Sequence, residues 1–151
     1  MSRRASCRTV IVRTRLKTCG RTVHTGTIEV IASDHAPHCN YEKDVEFDVA
    51  PFGILGLETE LALSLELLRR KVLSLPVLIE KFTTKPAALL RLKKGTLSVG
   101  ADADVTIIDP DIEWSYGVTQ SASKSRNSPF HGWQLRGRAV RTIVGGVTQY
   151  Q

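Results

Sequence analysis

The chain has 151 residues, with 21 basic and 15 acidic side chains and a formal net charge of +6. This is the length of one ordinary domain, which is enough to bury a core. No apolar run approaches the roughly 20 residues that span a bilayer, so the sequence predicts no membrane span. The three cysteines form no Cys-x-x-Cys pair, which argues against a disulfide framework and favours a reducing, cytoplasmic setting.

The positive charge is concentrated in residues 1–26, which contain seven basic side chains and no acidic one. The remaining 125 residues contain 14 basic and 15 acidic side chains, so the body of the chain is close to neutral. The sequence therefore does not favour nucleic acid as a partner of the body, although the basic segment alone can bind phosphates weakly.

A short apolar run, Ile28–Ala32, predicts a buried strand. Asp34, His35 and His38 follow it, at the position where a β/α barrel places its active site. A carboxylate can ligate zinc and move a proton, and a neutral imidazole can bind a metal or a substrate. The alternative is a strand-end loop in which Asp34 caps a turn and both histidines are solvated. Cys39 comes next, but a lone cysteine is more often a passive thiol than a ligand.

Residues 39–56 lack a regular period and predict a loop. Gly53 and Gly56 permit tight turns and a close approach of the backbone to a ligand. Two interpretations are open, namely the rim of a pocket that begins at Asp34 and a plain surface connection.

Three helices are predicted after this loop. Pro76 and Pro86 open two shorter ones, at about Pro76–Phe82 and Ala87–Leu92, and Gly95 ends the last. The first and clearest has one apolar stripe, with acidic side chains in its first turn and basic ones in its last. The stripe consists of Leu57, Leu61, Leu65, Leu68 and Val72.

The pattern then changes to β structure. Val105–Ile108 predicts a strand that stops at Asp109-Pro110, and residues 117–130 predict an exposed polar loop. Gly145-Gly146 separates two β-branched runs, 139–144 and 147–150, and predicts a two-residue hairpin. The chain is therefore expected to belong to the α/β class.

Residues 26–151 resemble the carboxy-terminal part of bacterial-type dihydroorotases, in the amidohydrolase superfamily. The order and spacing of several short motifs carry the resemblance, and the Asp-His-Ala-Pro-His and Ala-Pro-Phe-Gly-Ile pair distinguishes it from hydantoinases and allantoinases. The motifs are Asp34–His38, Glu42-Lys43, Ala50–Ile54, Gly56–Thr59, Lys85–Ala87, Lys94–Leu97, Gly100–Asp104 and Ser125–Phe130.

The resemblance implies a fragment of a (β/α)₈ TIM-type barrel joined to part of a small β-sandwich. Residues 27–94 would form the carboxy-terminal end of the barrel, with Ile28–Ala32 as its last strand and the helices after it. Residues 95–151 would form the carboxy-terminal share of the sandwich. Residues 1–26 would be a basic segment outside the family fold.

The implied reaction is the reversible cyclisation of N-carbamoyl-L-aspartate to dihydroorotate in pyrimidine synthesis, at a site that holds two Zn²⁺ ions. Asp34 matches the family's zinc ligand and general acid/base. His38 matches a substrate contact, and Phe52 and Gly53 match a loop that holds the substrate through its backbone. His35 is assigned no metal role.

Most of the family's metal ligands have no counterpart in this sequence. The resemblance implies a His-x-His pair, a carboxylated lysine and two further histidines, and none of them can be placed. We therefore expect the isolated chain to be inactive. Because the resemblance breaks off near Thr25-Gly26, where the acid-free segment ends, we also expect a truncated or frame-shifted reading frame.

Three alternatives remain open at this point. The first is another cyclic amidohydrolase, such as a hydantoinase or allantoinase. The second is a non-catalytic, dihydroorotase-like subunit that pairs with aspartate carbamoyltransferase. That enzyme and a second copy of the chain are the two expected protein partners. The third is a protein that binds nucleic acid through residues 1–26.

Overall fold

The computed structural model describes residues 27–151, so the predicted basic segment 1–26 lies outside the described residues. Loops and four helices precede a sheet of three strands in the order β1-β2-β3. The helices are α1 (Asn40–Lys43), α2 (Glu60–Arg69), α3 (Leu75–Phe82) and α4 (Thr84–Leu89), and the strands are β1 (Val105–Ser115), β2 (Gln134–Val144) and β3 (Val147–Tyr150). None of the described helices is long and apolar enough to cross a membrane.

Helix α2 corresponds to the predicted apolar stripe but begins later than the stripe does. The amides of Thr59 and Glu60 both donate to the Gly56 carbonyl, at 3.1 and 2.9 Å, which forms a turn before the helix. Leu57 lies in this turn and is 63% exposed, so its predicted place on the apolar stripe is wrong. Leu65 is the stripe residue that is fully buried.

The two shorter helices are confirmed, with shifted ends. Helix α3 carries Pro76 in its first turn, as predicted. Helix α4 lies one turn earlier than predicted and ends at Leu89, so the prediction that Gly95 ends it is wrong. It ends there because Arg91 is left-handed (φ 55°) and the Leu92 amide donates back to the Ala87 carbonyl, at 2.8 Å.

Strand β1 does not stop at Asp109-Pro110, so this predicted end is wrong. The strand continues to Ser115 and pairs with β2 on both sides of an irregularity between Asp109 and Glu113. Proline is tolerated here because β1 lies at an edge of the sheet and the register shift removes the need for an amide at Pro110.

The hairpin between β2 and β3 is confirmed. Gly145 and Gly146 are its two turn residues, and both have positive φ angles, 56° and 80°. This is the conformation of a type I′ turn, which matches the twist of the flanking strands. Strand β2 begins at Gln134, five residues before the predicted run.

Residues 28–34 belong to no helix or strand, so the predicted strand Ile28–Ala32 is not formed among the described residues. A ladder needs a neighbouring strand, and the part of the chain in view contains only an isolated bridge nearby, between His35 and Ile54. The segment is held by helix α3 instead. The Ile31 amide donates to the Lys81 carbonyl at 3.2 Å, and the Lys81 amine donates to the Ile28 carbonyl.

Helix α2 contributes to both hydrophobic clusters of the described fold. One cluster includes Leu65 and Leu78 and packs α2 against α3. The other packs Ala62 of α2 against Tyr116, Phe130 and Leu135, beside the sheet. Phe130 is only 2% exposed, so the predicted loop 117–130 is a loop but is not uniformly exposed.

Candidate active site

Asp34 has an unusual backbone conformation for a residue that carries a side chain. Its φ angle is 46°, in the left-handed region that aspartate and asparagine enter more readily than other side chains. The residue is exposed, and no described residue hydrogen-bonds its carboxylate. Asp34 leads directly into the segment from His35 to His38, which is bonded to the loop of residues 50–56.

His35 is an acceptor for the backbone of that loop. Its Nδ1 atom lies 3.2 Å from the Gly56 amide and 3.4 Å from the Leu57 amide. Because an amide only donates, Nδ1 carries no proton here and a neutral ring has its hydrogen on Nε2. The Ala36 amide adds a 2.9 Å bond to the Ile54 carbonyl, so this pairing is continuous along the chain. The role of His35 in the described fold is structural.

His38 bonds to the carbonyl of the predicted substrate loop. Its Nε2 atom lies 2.8 Å from the Phe52 carbonyl oxygen, and since a carbonyl only accepts, Nε2 donates this bond. Its Nδ1 atom lies 3.5 Å from Oε2 of Glu42. The same carboxylate oxygen accepts from the Cys39 amide at 2.7 Å, at the start of α1. Helix α1 therefore places a carboxylate beside the imidazole.

Gly53 is a point of close approach between the two segments. A Cβ atom at this position would lie 2.4 Å from the Cβ of Ala36 and 3.3 Å from Nε2 of His38. The φ angle of 114° is also one that only glycine adopts readily. Lys43 holds the other end of this loop, since its amine donates to the Pro51 carbonyl at 2.6 Å.

Asn127 connects both segments, and sequence reasoning did not single it out. Its Oδ1 atom accepts from the His38 amide at 3.1 Å, and its Nδ2 atom donates to the Ala36 carbonyl at 2.8 Å and to the Gly53 carbonyl at 3.3 Å. The sequence could have indicated a role for Asn127 only through its place in the Ser125–Phe130 motif. Composition alone indicated an exposed loop.

Helix α1 also carries Tyr41, whose phenol lies near Cys39 and Glu42. The pKa of Tyr41 is raised, first by the charge of Cys39 and then by that of Glu42. Both groups disfavour a second negative charge nearby.

The structure thus brings His38, Phe52 and Gly53 together, with Asp34 four residues before His38 in the same segment. A separate cavity of about 500 Å³ lies between α2 and the sheet. It is lined by Trp114, Tyr116 and other side chains that include none of these site residues.

A model of the amidohydrolase family matches residues 6–148. The chain belongs to the amidohydrolase family. The match begins inside the basic segment, and the domain boundary at residue 26 stays a prediction.

Known members of the family are similar over most of this chain. It is 52% identical to the dihydroorotase of Geobacter metallireducens over 126 aligned residues. The aligned region covers 83% of this chain and 30% of that protein. It is 57% identical over 121 residues to the dihydroorotase of Geotalea daltonii, which covers 80% of this chain and 28% of that protein. The solved L-hydantoinase of Arthrobacter aurescens superposes with a TM-score of 0.84 at 34% identity, over 92% of this chain and 32% of that one.

The chain therefore spans less than a third of the length of the curated relatives that it matches. The family resemblance implies a zinc site, and a chain of this length need not contain all of its ligands. Among residues 27–151 no group of three or more histidine, cysteine, aspartate or glutamate side chains could hold a metal ion. Asp34 offers one carboxylate, whereas a catalytic zinc needs three protein ligands. The described residues do not fit a complete zinc site.

Proposed function

We propose that this amidohydrolase chain carries the dihydroorotase site residues Asp34, His38, Phe52 and Gly53, and that it works as part of a cyclic amide hydrolase rather than alone. The observation that carries the proposal is its identity of 52–57% to proteins named dihydroorotase, over at least 80% of the chain. The linked site segments support it, because the segment that begins at the Asp34 carboxylate is hydrogen-bonded to a loop with a constrained backbone.

In this proposal Asp34 is the proton carrier. Opening of the dihydroorotate ring adds water across an amide, so that a carbon–oxygen bond forms and the ring carbon–nitrogen bond breaks. The Asp34 carboxylate accepts the proton of the attacking water and returns it to the departing nitrogen. Ring closure runs the same steps in reverse and releases water. As a zinc ligand, Asp34 would need partners from outside the described residues.

The loop residues would bind the substrate. Phe52 and Gly53 would present backbone groups to it, and His38 would contact it through the imidazole that donates to the Phe52 carbonyl in the described structure. We extend the proposal to the fold, on the basis of the same relatives. Residues 27–94 would complete the end of a (β/α)₈ barrel, and residues 95–151 would supply part of a β-sandwich.

A hydantoinase is the second candidate, because the superposed L-hydantoinase is 34% identical with a TM-score of 0.84. Hydantoins and dihydroorotate both contain a cyclic amide, so the same proton transfer would serve either. Dihydroorotase is favoured because the relatives of that name share more of the sequence.

The test is a chimera in which residues 27–151 replace the matching residues of the Geobacter metallireducens dihydroorotase. We expect it to hydrolyse dihydroorotate in preference to hydantoin. Asp34→Asn should lower kcat by about 10²- to 10⁴-fold, the usual range for loss of a general acid/base. Asp48→Asn, at an exposed carboxylate in the following loop, is the matched control and should leave kcat unchanged.

Two results would contradict the proposal. A folded chimera that prefers hydantoin would favour the second candidate. A chimera in which Asp34→Asn behaves like Asp48→Asn would remove Asp34 from the chemistry.

Co-purification with aspartate carbamoyltransferase tests the proposed partnership, and measurement of the molecular mass in solution tests the proposed homodimer. Cell fractionation tests the proposed cytoplasmic location.

A further inference from the structure

The side chain of Asn127 forms hydrogen bonds to two separate parts of the site, one as an acceptor and donor and the other as a donor. The acceptor is directed to the His38 amide, and the donors are directed to the carbonyls of Ala36 and Gly53. These partners lie 74 to 91 residues away in sequence. One partly buried amide group therefore joins the segment that follows Asp34 to the loop that contains Phe52.

The backbone of Asn127 adds a fourth bond, since its carbonyl accepts from the Leu55 amide at 3.1 Å. The chain beyond it is anchored in the core. Phe130 is 2% exposed and meets the ring of Trp133 edge-on, with 5.1 Å between the centroids. The Gly132 amide donates to the Tyr116 carbonyl at 2.8 Å. The segment from Asn127 to Phe130, called the clamp below, is thus attached to the cluster beside the sheet, and it connects that cluster to the two irregular segments of the site.

We propose that Asn127 is a positioning residue that sets the separation between the Asp34–His38 segment and the Phe52–Gly53 backbone. This rests on the proposed function of those segments. Asn127 acts through its neighbours and is assigned no contact with the reacting atoms. Its loss should therefore weaken substrate binding more than proton transfer.

The chemistry of the three bonds requires an amide. An aspartate of the same shape would still accept from the His38 amide, but its carboxylate would oppose the carbonyls of Ala36 and Gly53, which also only accept. Alanine would remove all three bonds. Comparing Asn127→Ala with Asn127→Asp therefore separates the acceptor function from the donor function.

The first measurement is amide hydrogen exchange in the 151-residue chain, which requires no enzymatic activity. We expect Asn127→Ala to accelerate exchange at the His38 amide by about tenfold or more, since one hydrogen bond is lost. Asn127→Asp should retain most of the protection there. Amides of strand β2 should not change in either variant, and Asn40→Ala, at an exposed asparagine on α1, should change none of these rates.

The second measurement is steady-state kinetics in the chimera described above. Both variants should raise KM for dihydroorotate by about 10- to 100-fold, the combined effect of two or three lost hydrogen bonds, with a smaller change in kcat. A lost bond that only stabilised the fold would lower the amount of active protein and leave KM unchanged.

The exchange result decides the proposal whether or not the chimera is active. Unchanged exchange at His38 in Asn127→Ala would overturn it, as would an unchanged KM in an active chimera. If Asn127→Ala unfolds the chain, strand β2 will exchange as well, and the isosteric Asn127→Asp then decides. Equal acceleration at His38 and β2 in that variant would assign Asn127 to general stability only. An inactive chimera with normal clamp behaviour would count against the proposed function alone.

Discussion

At Gly53, the backbone conformation and the close packing both require a glycine. Its φ angle of 114° disfavours any side chain, and a Cβ atom would collide with Ala36. Gly100 is a natural comparison, because its φ angle is also positive, at 84°, but a Cβ atom there would meet nothing within 4 Å.

We expect Gly53→Ala to destabilise the chain by more than Gly100→Ala. The strained backbone alone costs about 1–3 kcal/mol in each variant, and Gly53→Ala adds a collision that separates the loop from His38. Thermal unfolding of both variants measures the difference, and the NMR shift of the His38 imidazole reports the loss of its bond to Phe52. Equal destabilisation with an unchanged imidazole signal would show that the close approach at Gly53 is unimportant.

The predictability of the site differs between its residues for a physical reason. Asp34, His38 and Gly53 lie in short motifs, so their chemistry or their backbone requirement is visible within a few positions. Asn127 forms its bonds 74 to 91 residues away, and an asparagine among serines and basic residues is typical of a solvated loop. Only the folded chain shows that this amide is directed inward.

The ends of helices α2 and α4 share one arrangement. After α2, Lys71 is left-handed (φ 56°) and its amide donates to the Leu68 carbonyl at 2.8 Å, while the Val72 amide donates to the Leu67 carbonyl at 2.9 Å. This is a Schellman motif, in which glycine is the usual left-handed residue. In the sequence Lys71 was one of the basic side chains that indicated the last turn, but a lysine does not itself indicate a left-handed residue after the helix.

We expect Lys71→Gly to stabilise the chain by up to about 1 kcal/mol, because glycine avoids the cost of the left-handed conformation. Lys93→Gly, in an exposed segment without a positive φ angle, is the matched control and should be neutral or destabilising. Chemical denaturation measures both free energies of unfolding. If the two variants lose the same stability, the strain at Lys71 is negligible.

At the scale of the whole molecule, the described residues join the Asp34–His38 segment to the loop of residues 50–56 but form no set of metal ligands. The chain also spans less than a third of its curated relatives. Amide hydrolysis by this family is expected to need a zinc pair, so the described part of the chain provides only a portion of the required groups.

We therefore expect the purified 151-residue chain to show no hydrolysis of dihydroorotate above the uncatalysed rate, with or without added Zn²⁺. A spectrophotometric assay with the chimera as positive control measures this. Hydrolysis by the chain itself that disappears in Asp34→Ala would show that it completes a working site without the rest of an amidohydrolase.

The sequence by itself determined the features that depend on neighbouring residues. Pro76 marked the first turn of α3, Gly145-Gly146 marked the hairpin, and the short motifs indicated the family. Local propensities and turn chemistry act over a few residues, so these features can be recognised without a fold.

The tertiary structure decided what depends on distant partners. It left Ile28–Ala32 without a ladder, because a strand needs a neighbour that the described residues do not supply. It carried β1 past Pro110, because that strand lies at a sheet edge with a shifted register. It also turned Asn127 into the connection between two site segments, because hydrogen bonds form between atoms that are close in space, however far apart they lie in sequence.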